Sequence, residues 1–438
     1  MTTTRTGTAR QHPGGEVLRT ELPGGLRVLS EHVPGAVGTN LGVYVGVGSR
    51  HEPANRHGSS HFLEHVLFKG TPTRTAEQVS AELEARGGDL NAYTTREYTC
   101  FHARVLAGDT ARAVELLGDM LTHSLVRPAD VAIEREVILD EIAMHADDPS
   151  ESSVDRAIAT LFEGSSLAPL VIGSAGSIRR QSARAITAWW QENYRAGQIV
   201  VAATGAVDHE ALVSSVAEAF ADAPTGRAAR AVETPVPGEP RVAFQRGDTA
   251  QTAVTLAWPG VRYGDALRPR LDLASVALGG GMSSRLFVEV RERRALAYTI
   301  DASTSSWTDS GLFTVEWQSL PARTAEIIDV VGDICQQVRQ EGFSADELAA
   351  AQGQLVGQTL LHFENPSARM GRIGSRELLG DPWDTDELLA AYAAVTREEV
   401  NDTIAGLLSR APVVSLAGGS SGRLAAERMI TRWDDARS

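Results

Sequence analysis

The chain has little cysteine: Cys100 and Cys335 are the only two in 438 residues. They stand far apart and without metal-ligand spacing. That excludes a disulfide framework and a cysteine-based zinc site, and it fits a reducing compartment, so a cytoplasmic protein is expected. Long apolar runs are missing too, and nothing reaches the length of a membrane span. Basic charge is short: 41 Lys and Arg against 56 Asp and Glu give a formal net charge of -15. Nucleic acid and anionic membranes both demand a basic footprint, so neither is expected as a partner. The acidic balance is compatible with basic peptides, although solubility alone accounts for it. No secretory apolar region follows Met1. The stretch Met1 to Gly15 carries two arginines, several threonines and no acid. With Pro13-Gly14-Gly15 it reads as part of a disordered tail over residues 1–17.

What is present suits globular domains. Hydrophobic residues make up 42% of the chain, and its length suggests two to four domains. A Pro-, Gly- and Ala-rich stretch at 224–240 reads as a linker and divides the chain almost in half. Domains are expected at 18–223 and 241–438. The second half looks like a degraded copy of the first. Ala113-Val114-Glu115-Leu116-Leu117-Gly118-Asp119-Met120 matches Ile327-Ile328-Asp329-Val330-Val331-Gly332-Asp333-Ile334. Pro128-Ala129-Asp130-Val131 likewise matches Ser344-Ala345-Asp346-Glu347, and each precedes a helix.

One stretch of the first half has no counterpart in the second. Ser59 to Lys69 contains neither Pro nor Gly, and Ser59 or Ser60 can cap a helix start. On that helix His61 and His65 share a face one turn apart, with Glu64 close beside them. Two imidazoles on one face can hold zinc, and the adjacent carboxylate can reach a water on the metal. The order His-x-x-Glu-His is the mirror of the commoner His-Glu-x-x-His. The same five residues also fit a buried helix whose histidines bond to backbone carbonyls. A catalytic zinc needs a third protein ligand. Glu141 is a candidate, because it sits mid-helix among apolar residues where a lone carboxylate is costly. Glu134 lies two turns earlier on the same face, where it can orient a ligand. An ordinary solvated acidic face is the alternative for both.

His61-Phe62-Leu63-Glu64-His65 with Glu134 and Glu141 resembles the zinc signature of the M16 metallopeptidases, the inverzincins of the insulinase and pitrilysin family. The resemblance extends to Asn91-Ala92-Tyr93-Thr94-Thr95-Arg96-Glu97-Tyr98-Thr99 and to Gly279-Gly280-Gly281-Met282-Ser283-Ser284-Arg285-Leu286-Phe287, with Arg291 and Tyr298 beyond. It runs roughly from Leu18 to Gly418. The length matches the two-domain subgroup that includes the mitochondrial processing peptidase β subunit and bacterial homologues. Ser166-Leu167-Ala168-Pro169-Leu170 departs from the usual His-Pro-Leu-Gly type of segment.

The resemblance implies an α+β fold. Two homologous α/β domains, each a mostly antiparallel sheet packed with helices, would form half of a clam-like chamber. It implies one Zn2+ per chain, ligated by His61, His65 and Glu141, with Glu64 as general base and Glu134 behind the ligands. Asn91, Ala92 and Tyr93 would hold the substrate backbone on an edge strand. Arg291 and Tyr298 would contact the substrate carbonyl. In isolation Arg291 reads as part of a charged helix face and Tyr298 as core. A chain with both residue sets can work as a homodimer, whereas some relatives divide them between two M16 subunits. The function implied is endopeptidase cleavage of unfolded peptides within the chamber. Two alternatives remain at this point: a leader-removing peptidase acting as one subunit of a heterodimer, and a non-catalytic scaffold like the respiratory core proteins.

Overall fold

The structure is a computed structural model that describes residues 2–6, 16–228, 233–381 and 384–435. Most of the expected tail (7–15) and the middle of the expected linker (229–232) lie outside the described residues.

The first half runs β1 (Thr2–Thr6), β2 (Val17–Glu21), β3 (Arg27–His32), β4 (Gly38–Val45), α1 (Ser59–Leu67), α2 (Ala76–Glu84), β5 (Asp89–Thr94) and β6 (Thr99–Leu106). It continues with α3 (Thr110–His123), α4 (Pro128–Asp147), α5 (Pro149–Leu161), α6 (Ala175–Arg180), α7 (Ala183–Asn193), β7 (Ile199–Gly205) and α8 (His209–Ala219). The second half runs β8 (Val242–Arg246), β9 (Thr252–Gly260), α9 (Arg268–Gly279), a π-helical turn at Phe287–Glu292, β10 (Ile300–Ser306) and β11 (Gly311–Ser319). It closes with α10 (Pro321–Glu341), α11 (Ala345–His362), α12 (Pro366–Leu379), α13 (Thr385–Ala394), α14 (Arg397–Leu407), β12 (Val413–Gly418) and α15 (Arg423–Asp435). Among the described residues, no helix is long and apolar enough to cross a membrane. The tail reading is corrected at Thr2–Thr6, which pairs antiparallel with β2. Four threonines in those five positions favour an extended backbone, and β2 offers an open edge.

Two sheets form, with the order β1-β2-β3-β7-β4-β6-β5 and β10-β11-β9-β12-β8. Reading the second backwards gives the permutation of β3-β7-β4-β6-β5. In each sheet one pair is parallel, β3 with β7 and β8 with β12. The other pairs are antiparallel. The repeat seen in the sequence is therefore a repeat of topology.

The two compact units do not follow the midpoint of the chain. The first comprises residues 1–142, 169–232 and 360–383, and the second 143–168, 233–359 and 384–438. Each half thus gives one helix to the other unit. In the first unit, Val43, Phe101 and Val201 pack with α1, α3, α7 and α8. Their strand neighbours Tyr44, Cys100 and Val200 pack on the opposite face with Met370 and Ile373 of α12. In the second unit α5 does the same work, Ile158 and Leu161 packing with Ala257, Leu312 and Val413. Both donated helices begin with Pro after a side-chain cap: Asp148 accepts from the Ser150 amide at 2.7 Å and Asn365 from the Ser367 amide at 2.9 Å. Gly374 lets α12 lie against the sheet, since a Cβ there would stand 2.2 Å from the Tyr44 ring.

Candidate metal centre

Helix α1 is the floor of the site. Its apolar face, with Phe62, Leu63, Val66 and Leu67, is fully buried in the first core. This turns His61, Glu64 and His65, all half-buried, to the other side. Neither Ser59 nor Ser60 caps the helix. Gly58 occupies the cap position with φ of 88°, and the Glu52 carboxylate accepts from the Gly58 and Ser60 amides at 2.7 and 2.6 Å. A carboxylate at a helix N-terminus is favoured by both charge and hydrogen bonding.

Helix α4 brings the acids. His61 Nε2 and His65 Nε2 lie 3.7 and 3.4 Å from the same oxygen of Glu141, Oε2. The two imidazole centroids are 4.7 Å apart. Ligands at the corners of a tetrahedron around zinc, each about 2.0–2.1 Å from it, stand about 3.3 Å apart. The two Glu141 distances are close to that spacing, and all three donors lie within 4.8 Å of one another. Glu134 is buried, and its Oε2 lies 3.0 Å from His65 Nδ1. That contact directs the Nε2 lone pair of His65 towards Glu141. The other oxygen of Glu134 meets Lys69 Nζ at 2.6 Å. Burial, with a smaller contribution from His65, pushes the His61 imidazole down to about 3. It is then neutral at ordinary pH, as a metal ligand must be.

Glu64 lies near His65 and Glu141 without being one of the three grouped donors. Burial raises its carboxyl above the ordinary range, and a hydrogen bond from Thr94 and the nearby His65 oppose the rise. A carboxylate with raised proton affinity is better suited to take a proton near neutrality.

Strand β5 ends the strand order of the first sheet, so no strand lies on its outer side among the described residues. Its side chains alternate. Leu90 and Ala92 turn towards the core that holds α1. Tyr93 goes to the opposite face, where its ring lies 6.0 Å from those of Tyr98 and His102. Asn91 is exposed, and its Oδ1 accepts from the Ala92 amide at 2.8 Å. The structure places Ala92 on the side of Glu64 and the Tyr93 ring away from it.

Arg291 and Tyr298 meet in the second unit. The Arg291 guanidinium is 4.6 Å from the Tyr298 ring centroid and 4.7 Å from that of Phe287. Tyr298 is 75% exposed, so the reading of it as core is overturned. Arg291 lies on the π-helical turn, a geometry that often marks functional positions.

The family model described as insulinase, peptidase family M16, matches residues 27–174, and that of the peptidase M16 inactive domain matches 182–355. The chain belongs to peptidase family M16. An uncharacterized zinc protease of Streptomyces coelicolor is 39% identical over 416 residues, 93% of this chain and 91% of that protein. One from Mycobacterium tuberculosis is 41% identical over 397 residues, 90% and 91% of the two chains. The crystal structure of a peptidase M16 inactive domain from Pseudomonas fluorescens superposes with a TM-score of 0.85 at 20% identity, covering 92% of this chain and 98% of that one. A Helicobacter pylori protease gives 0.86 at 18% identity, covering 92% and 99%. M16 peptidases depend on zinc, and the His61, His65 and Glu141 donor set of this M16 chain fits that ion in spacing and chemistry. Two contacts of the M16 site escaped the reading of the sequence, those of Lys69 with Glu134 and of Thr94 with Glu64. Lys69 lies two residues past the end of α1, and only the fold brings it to Glu134 of α4. Thr94 is 30 residues from Glu64, and only the fold joins them.

Proposed function

We propose that the chain is a zinc endopeptidase that cuts unfolded peptides. The observation that carries this reading is the spacing of His61 Nε2, His65 Nε2 and Glu141 Oε2, with Glu64 beside them. Zinc held by these three residues would polarise the scissile carbonyl and lower the pKa of an attacking water. Glu64 takes the proton from that water and returns it to the leaving amine. Glu134 holds the His65 ring in its ligating tautomer, and Lys69 balances the charge of Glu134. The substrate adds as a strand to the outer side of β5 at Asn91, Ala92 and Tyr93, its backbone read through main-chain hydrogen bonds. Arg291 and Tyr298 supply the donors for the substrate carbonyl.

Strand addition reads backbone, so selectivity falls on unfolded segments instead of on one side chain. The two residue sets on one chain support a homodimer whose protomers enclose a chamber. A cytoplasmic location fits Cys100 and Cys335, both buried and free. The test is cleavage of a mixed pool of unstructured peptides by the purified chain, read by mass spectrometry with and without a zinc chelator. Chelator-sensitive cuts that return with added zinc are expected. Bound zinc without any cleavage would move the assignment to a leader peptidase that needs an M16 partner. Neither zinc nor cleavage would leave the scaffold.

A further inference from the structure

We propose that Thr94 is a positioning residue for the catalytic base, an assignment that rests on the zinc-peptidase reading above. Its hydroxyl donates to Glu64 Oε2 at 2.5 Å. No other hydrogen bond to the Glu64 carboxylate is made by the described residues, so Oε1 is left for the water. A general base works through one oxygen lone pair, and the direction of that lone pair is set by the plane of the carboxylate. Anchoring Oε2 fixes that plane, whereas an unanchored carboxylate turns about its last bond, where the torsional preference is broad.

Thr94 is itself well held. It is the last residue of β5 and pairs directly with Thr99 of β6. Its position in the strand alternation puts it on the face of Leu90 and Ala92, towards α1. The next residues form a tight turn, with the Thr95 amide donating to Tyr98 O at 2.8 Å. The Thr99 hydroxyl lies 3.4 Å from that of Thr94 and donates its one proton to Val47 O at 3.0 Å. The Thr94 proton is therefore committed to Glu64. A β-branched side chain has few χ1 choices, which adds to the fixity. The same strand thus does two things. Its open outer side is placed to receive the substrate backbone, and its inner side orients the group that attacks that substrate. Register between substrate and base is built into one element.

The test compares Thr94→Val, which keeps shape and removes the donor, with Thr94→Ser, which keeps the donor. Thr94→Val should lower kcat by about tenfold to a hundredfold, the range for a lost hydrogen bond to a charged group. KM and the zinc content of the purified protein should be unchanged. A phosphinic peptide, whose charged oxygen takes the place of the attacking water, should bind Thr94→Val more weakly by a comparable factor. Thr94→Ser should recover most of both losses. Unchanged kcat in Thr94→Val would overturn the assignment. So would a loss in KM alone, or a Thr94→Ser protein as impaired as Thr94→Val. A wild-type chain that neither holds zinc nor cuts peptides would remove the zinc-peptidase reading instead, and this assignment with it.

Discussion

Glu134 Oε2 sits 3.0 Å from His65 Nδ1 while Glu134 Oε1 sits 2.6 Å from Lys69 Nζ, so one buried carboxylate links a histidine of the candidate metal centre to a cation. In the proposed site the carboxylate would accept the Nδ1 proton and leave Nε2 to ligate. Partners of this kind set metal affinity without touching the metal. Glu134→Ala should weaken zinc binding by about 10–100-fold, measured by competition with a chromogenic chelator. Equal affinity would show that His65 is oriented by packing alone.

Arg369 of α12 and Glu31 of β3 form an ion pair at 2.7 Å with side chains 2% and 1% exposed. Arg369 also donates to Phe363 O through Nε. The pair fastens the donated helix to the first sheet. Removing one partner leaves the other charge buried, so Arg369→Met should cost about 3–5 kcal/mol in denaturant unfolding of the first unit. The double change Glu31→Leu with Arg369→Met should restore much of that loss. A single change with no cost would mean that α12 is held by its other contacts, Met370 and Ile373 in the core and Glu377 with Arg19 and Arg27.

Asp301 of β10 stands directly opposite Glu316 of β11. Partial burial and the facing carboxylate push the Asp301 carboxyl from 3.8 up to about 6. Between those two pH values the folded chain holds a proton that the unfolded chain has shed, so stability falls as pH rises through the window. Asp301→Asn removes this penalty. Because the side chain keeps much of its surface in water, solvent screening limits the gain to about 0.5–1 kcal/mol at pH 7, and none is expected at pH 3. Thermal unfolding at the two pH values measures it. A variant no more stable than wild type at pH 7 would contradict the pairing.

The repeat and most of the candidate metal centre were legible because each lies in local pattern. His61, Glu64 and His65 fall within five residues of one helix. Glu134 and Glu141 fall two turns apart on another, and freedom from Gly and interior Pro marks both helices. Glycine-bounded runs such as Ile199–Gly205 announced the strands in the same way. The exchange of α5 and α12 between units was not legible. Each helix has an ordinary amphipathic pattern, and a pattern names the buried face but not the sheet that buries it. The face taken by the Tyr93 ring was not legible for a related reason. Strand alternation sends it to the face opposite Ala92, and assigning the face requires knowing that Phe101 and not Cys100 belongs to the core under α1. The cap of α1 is a carboxylate from Glu52, six residues ahead of Gly58, a loop contact that no capping rule reaches.

The central claim is that Glu64 acts on water at a zinc held by His61, His65 and Glu141, and it is tested most directly by Glu64→Gln. The change keeps size and removes the base while leaving all three donors in place. Zinc content by mass spectrometry and peptide cleavage are read on the same preparation. One zinc per chain with cleavage lowered by at least about a thousandfold is the expected result. Cleavage at the wild-type rate, with zinc bound, would contradict the role of Glu64 and the mechanism built on it.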